Sequence, residues 1–170
     1  MKLNQIIELI EKGFFYQLQG RCHSIEWQKR GLTHFHLIVF FQLPHDFVFT
    51  PYHVDNIISA EIPLPGTALH SIIKRCNIHG PCGTTNPHRP CTKSGKCSKH
   101  FPKGFQIATT IGQDAYVNYR RWSLEDGGWF YTTLICGQEI RMTIENVVPY
   151  NPMLSVLMDS HINEIGRAHV

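Results

Sequence analysis

Between Cys76 and Lys103 the chain carries Gly, Pro, Cys, His and Lys where a core would need large apolar side chains. Such a segment has too little apolar surface to order itself, so a bond of another kind must hold it. The available ligands are His79, Cys82, His88, Cys91, Cys97 and His100. His79-Gly-Pro-Cys82 and Cys97-Ser-Lys-His100 each have the spacing of a knuckle half-site, and Cys91 stands between them. Tetrahedral Zn2+ takes four thiolate or imidazole ligands. A structural zinc drawn from His79, Cys82, Cys91, Cys97 and His100 is therefore expected. The spacing follows no common zinc-finger pattern, and the alternative is a loop whose thiols pack or stay free. Ser94-Gly-Lys-Cys97 is not a phosphate loop, because Pro90 holds the upstream glycine position and Cys97 replaces the hydroxyl residue.

A second stretch, Glu26 to Phe41, offers a different metal chemistry. Lys29-Arg30-Gly31 signals a turn, and His34 and His36 follow with one apolar residue between them. The apolar run Leu37 to Phe41 predicts a buried strand, on which alternate residues share a face. Two imidazoles side by side on a stiff strand make half of a divalent-metal site. Cys22 to Gln28 reads as the antiparallel partner. In a hairpin with a five-residue loop, Gln28 faces His34 and Glu26 faces His36, which makes either an oxygen ligand. The alternative is that this is one of the many His-x-His pairs that hold no metal.

The rest of the chain describes a domain-sized globular protein. It has 170 residues, 42% of them hydrophobic, and a formal net charge of +3. No apolar run reaches the roughly 18 residues that span a bilayer, and no signal peptide follows Met1. The charge is unevenly placed. No acidic residue lies between Glu61 and Asp114, whereas Lys74, Arg75, Arg89, Lys93, Lys96, Lys99 and Lys103 all do. A block of one sign suits a phosphate-facing surface, with a solvated loop as the alternative. Arg120 and Arg121, beside Tyr116 and Tyr119, suit phosphate contact and base stacking, or else a surface ion-pair cluster with Glu125 or Asp126. Helices are expected over 3–11, over 67–75 and, as a short helix or turn, over 54–61. Strands are expected over 130–135 and 139–148, around Cys136-Gly-Gln138, and a helix or strand over 154–162. The six cysteines read as reduced thiols or metal ligands.

The run EWQKRGLTHFHLIVF closely resembles the EFQKRGLPHAHIL signature of Helitron transposases, a branch of the His-hydrophobe-His (HUH) endonucleases. AEIPLP, IHGPCGTTNPHRPCTKSGKCSKHFPKGF, YVNYRRW and VVPYNPMLSVLMDSHINE match further family motifs in the same order, from about Cys22 to Glu164. The resemblance implies an α+β fold, an antiparallel sheet flanked by helices, with His34 and His36 on a central strand. The Cys/His-rich insertion, about 76–103, is characteristic of the Helitron branch. It also implies that Mg2+ or Mn2+, held by His34, His36 and Glu26 or Gln28, polarises a phosphate of single-stranded DNA at transposon ends. A tyrosine then attacks, leaving a 5′-phosphotyrosine and a free 3′-hydroxyl. Lys96, Lys99, Lys103, Arg120 and Arg121 are the expected DNA contacts. A helicase in the same full-length polypeptide, nuclear action and no membrane follow from the same resemblance.

In the family the tyrosine pair lies soon after the segment matched by His161-Ile-Asn163, and an upstream strand motif precedes the region matched by residues 1–20. Neither has a counterpart here, and Tyr116, Tyr119 and Tyr150 fit other motifs, so no catalytic tyrosine is assigned. Residues 165–170 are what ATC GGA AGA GCA CAC GTC encodes, the opening of a common sequencing adapter. They are expected to be an assembly artefact, with His169 no ligand and 1–164 the partial HUH domain. The leading expectation is a fragment of a DNA-nicking transposase without its nucleophile. The alternative is a non-catalytic, zinc-stabilised nucleic-acid-binding module from a degraded element.

Overall fold

The computed structural model describes residues 2–27, 33–114, 116–135 and 137–163. The chain divides into two compact units, Met1–Val48 and Phe49–Val170. It is a mixed α/β protein with four α-helices and four two-stranded antiparallel sheets among the described residues. The single central sheet implied by the resemblance is not what these residues form. Each strand pairs with one neighbour only.

The first unit holds helix α1 (Lys2–Glu11) and a hairpin of β1 (Leu18–Trp27) and β2 (Thr33–Phe41). Apolar residues at helical spacing bury Ile6 and Ile10, and Gly13, at φ +76°, takes the left-handed conformation that ends the helix. The hairpin register pairs Glu26 with His34 and Ser24 with His36. This corrects the expected register, in which Gln28 faced His34, by two residues. An even offset keeps Glu26, His34 and His36 on one face. The expected burial of β2 is also corrected: Ile38 and Phe40 are 56% and 54% exposed. The opposite face is partly covered, with Phe35, Leu37, Val39 and Phe41 half-buried.

The second unit begins with α2 (Pro51–Ile57) and α3 (Ala68–Cys76). Helix α2 starts earlier than its apolar pattern suggests, because Thr50 caps it and Pro51 fits the first helical position. The Thr67 side chain caps α3 by accepting from the His70 amide at 3.1 Å. The short ribbons β3 (Thr92–Lys93) with β4 (Lys96–Cys97) and β5 (Thr110–Ile111) with β6 (Val117–Asn118) follow. Then come β7 (Phe130–Ile135), β8 (Gln138–Thr143), a 3-10 turn at Ile144–Asn146 and α4 (Pro152–Met158). The expected second strand thus stops at Thr143, where the chain tightens into that turn.

Two apolar clusters form the core of this unit. Ile62, Ile73, Ile144, Val147 and Tyr150 make one, with Leu69, Ile78, Trp122 and Tyr131 packed against it. Val54, Ile58 and Val117 make the other. Isolated antiparallel bridges, Ser59 to Tyr150 and Ile78 to Val147, tie distant segments across the first cluster. Among the described residues no helix is long and apolar enough to cross a membrane.

Candidate metal centre

The Cys/His-rich segment leaves α3 and is fastened to the core at both ends. His79 N–H donates to the Asn146 carbonyl at 2.7 Å, and Asn146 Nδ2 donates back to the His79 carbonyl at 3.1 Å. At the far end Lys103 N–H donates to the Glu145 carbonyl at 2.9 Å. The 3-10 turn Ile144–Asn146 is thus the floor on which the loop stands.

Inside the loop, the ribbon β3–β4 returns the chain through Ser94 and Gly95, both at positive φ (49° and 75°). That is the backbone of a type I′ hairpin turn, whose twist suits two paired strands. The pairing sets Thr92 opposite Cys97 and leaves Cys91 just before the ribbon. Thr92 Oγ1 accepts from the Gly83 amide at 2.9 Å, drawing the Cys82 segment alongside. Gly83 has φ +73°, and a Cβ there would meet the Gly95 carbonyl oxygen at 3.0 Å, so a bare backbone is needed.

The result is a convergence. One ligand atom from each of His79, Cys82, Cys91 and Cys97 lies within 4.8 Å of every other, and these four could hold a metal ion. His79 Nε2 is 3.3 Å from Cys97 Sγ, and the His79 ring packs, tilted by 30°, against Phe101 at 4.4 Å between centroids. Cys97 is buried, the other three partly so.

The protonation chemistry suits ligation. Burial, aided by the charges of Lys99, Arg89 and Lys103, pushes His79 below the ordinary imidazole range, toward its neutral, ligating form. Burial alone would raise Cys97. It is outweighed by the backbone N–H groups of Phe101 and Lys99 and by the Cys82 and Cys91 thiols, so Cys97 lies below the usual thiol range. Cys82 bears the opposite effect: burial, then its thiol neighbours, push it up to about 12. A cation bound among these groups would draw off the thiol protons.

The other expected ligands fall elsewhere. His100, exposed and at φ +56°, is not among the four, and neither is the exposed His88. At the hairpin, Glu26 Oε2 lies 3.4 Å from His36 Nε2, and the His34 and His36 ring centroids are 6.4 Å apart. Those side chains do not join a group of three or more mutually close ligand atoms among the described residues. The His36 and Glu26 side chains are 60% and 66% exposed. Gln28, Cys136 and residues 164–170 lie outside the described residues.

The basic residues divide. Lys96 and Lys99 are exposed on the loop, and Lys103 is half-buried with Nζ 5.3 Å from the Phe101 ring centroid. Arg89 and Lys93 join Lys99 around a shallow depression beside His79 and Cys91. Arg89 Nη2 also donates to the Gly80 carbonyl at 3.0 Å. Arg121 corrects its expected role. It is 5% exposed, and its Nη1 donates to the carbonyls of Ile144 at 2.6 Å and Ala60 at 3.5 Å. Arg120 stacks on Trp122 at 4.5 Å and pairs with Glu61 at 3.6 Å and Asp55 at 3.9 Å. Glu125 and Asp126 are not its partners. Asn146 and Phe101, which orient His79, were not singled out in the sequence. Neither carries a spacing signal that would mark it.

No protein-family model matches this chain, and the comparison with curated proteins returned no match either.

Proposed function

We propose that the chain is a zinc-stapled, nucleic-acid-binding part of a Helitron-type HUH transposase, with Zn2+ held by His79, Cys82, Cys91 and Cys97. The convergence of one imidazole nitrogen and three sulfurs within 4.8 Å carries the reading. With Zn–S near 2.3 Å, tetrahedral ligand atoms stand roughly 3.5–3.8 Å apart, so small movements complete the shell. Thiolates favour zinc over Mg2+ or Mn2+, which prefer oxygen. Four protein ligands close the site, giving the metal a structural role. The loop it fixes presents Arg89, Lys93, Lys96 and Lys99, cations suited to the phosphates of single-stranded DNA. The Helitron assignment, the HUH fold, nuclear action and a helicase in the longer polypeptide rest on the ordered motif resemblance.

A second reading, a Mg2+- or Mn2+-dependent nicking centre, is favoured by one observation. Glu26 lies 3.4 Å from His36 on the face that also carries His34. No tyrosine of this chain is assigned as its nucleophile. Fluorescence anisotropy with a labelled single-stranded oligonucleotide tests the first reading. Binding should weaken at least tenfold when the metal is chelated and a few-fold in Lys99→Gln. Binding indifferent to both would reject it.

A further inference from the structure

Away from the metal loop, the polar side of α3 and strand β7 border an open, shallow cleft of about 390 Å3, lined by Ser71, Lys74, Arg75, Tyr131 and Thr133. Leu69 and Ile73 of α3 pack into the core, which turns Ser71, Lys74 and Arg75 outward. Tyr131 and Thr133 share a face of β7, and Tyr131 is anchored against the same core cluster. The lining thus holds two cations and three hydroxyls, and no carboxylate.

These groups are preset. Lys74 Nζ sits 4.5 Å from the Tyr131 ring centroid, a cation–π contact that fixes an otherwise mobile ammonium. Arg75 is paired through one Nη with Asp159, at the C-terminal end of α4. A guanidinium has five N–H donors, so that pairing leaves others to face a ligand. His70, one turn from Lys74, is held below the usual imidazole range by burial and then by the Lys74 charge. A purely structural role for the two cations would be to complement the C-terminal dipole of α3. That role leaves the three hydroxyls beside them unexplained.

We propose that this cleft binds a phosphate group, free or in a nucleic-acid backbone, through Lys74, Arg75 and the hydroxyls of Ser71 and Thr133. The site is independent of the metal, so zinc content and oligonucleotide binding at the metal loop can fail without it. Titration of the full chain with inorganic phosphate, followed by 1H–15N spectra, should move the amides of Ser71, Lys74, Arg75 and Thr133. With a single-stranded oligonucleotide, Lys74→Gln should weaken binding about 3- to 10-fold. It should also lower the slope of log K against log salt by about 0.7, one phosphate contact. Asp159→Asn frees Arg75 and should tighten binding about twofold, whereas a structural pair alone would lower thermal stability and leave affinity alone. Phosphate shifts without an oligonucleotide effect would assign the cleft to small phosphates. Absence of amide shifts, together with unchanged affinity in Lys74→Gln and Asp159→Asn, would overturn the proposal.

Discussion

His79 Nε2 and Cys97 Sγ stand 3.3 Å apart across eighteen positions of chain that has almost no apolar side chain of its own. The contact exists because the Asn146 amide grips the His79 backbone while a two-residue turn folds Cys97 back toward it. Chelating the proposed zinc should therefore loosen the loop before the Ile73–Tyr150 core. Hydrogen exchange should show protection lost between 79 and 103 and retained at Ile73 and Val147.

Gly83 is a narrower test of the same geometry. Its φ of +73° and the 3.0 Å approach of a Cβ to the Gly95 carbonyl make alanine strained there. Gly83→Ala should cost about 1–2 kcal/mol and loosen metal binding, measured by competition with a chromophoric chelator. Alanine at Gly104, where a Cβ meets nothing within 4 Å, should leave metal affinity unchanged.

Arg121 should behave as a core residue. Removing its guanidinium strands the Ile144 carbonyl that it binds at 2.6 Å. It also leaves Glu61, whose carboxyl burial already holds above the usual range, with one cation fewer. Arg121→Ala should lower urea stability by about 2–4 kcal/mol. Arg120→Gln, at a more exposed pair, should cost less than about 1 kcal/mol. The reverse order would contradict the assignment.

Tyr150 sets an alkaline limit. It is 1% exposed, donates to the Glu61 carbonyl at 3.0 Å, and burial pushes its phenol up to about 12 from 10.0. Between those values the folded chain binds the proton more tightly than the unfolded chain. Its contribution is thus whole below pH 10 and is lost as pH rises toward 12. Tyr150→Phe should cost about 1 kcal/mol at neutral pH and flatten the stability profile over that window, read by denaturation at stepped pH.

What could be read from the sequence was local. The spacing of Leu69, Ile72 and Ile73 after Thr67 marked α3, and the loop's composition demanded a staple. What could not be read was tertiary. Two half-sites of equal spacing do not say whether His79 or His100 joins the three sulfurs. That choice falls to the left-handed backbone at His100 and to the grip of Asn146 on His79, 67 positions away. The Arg120-Arg121 pair reads as a surface feature until Ala60 and Ile144 close around one member. The hairpin register needed the pairing of Trp27 with Thr33, which apolar pattern leaves free by two residues.

Metal analysis of the purified full chain, by native mass spectrometry and elemental emission, tests the central claim most directly. One zinc per chain is expected, lost in Cys97→Ser and Cys91→Ser and retained in His100→Ala and in the double variant His34→Ala/His36→Ala. A chain without zinc, or one whose zinc survives Cys97→Ser and leaves with the His34/His36 pair, would contradict it.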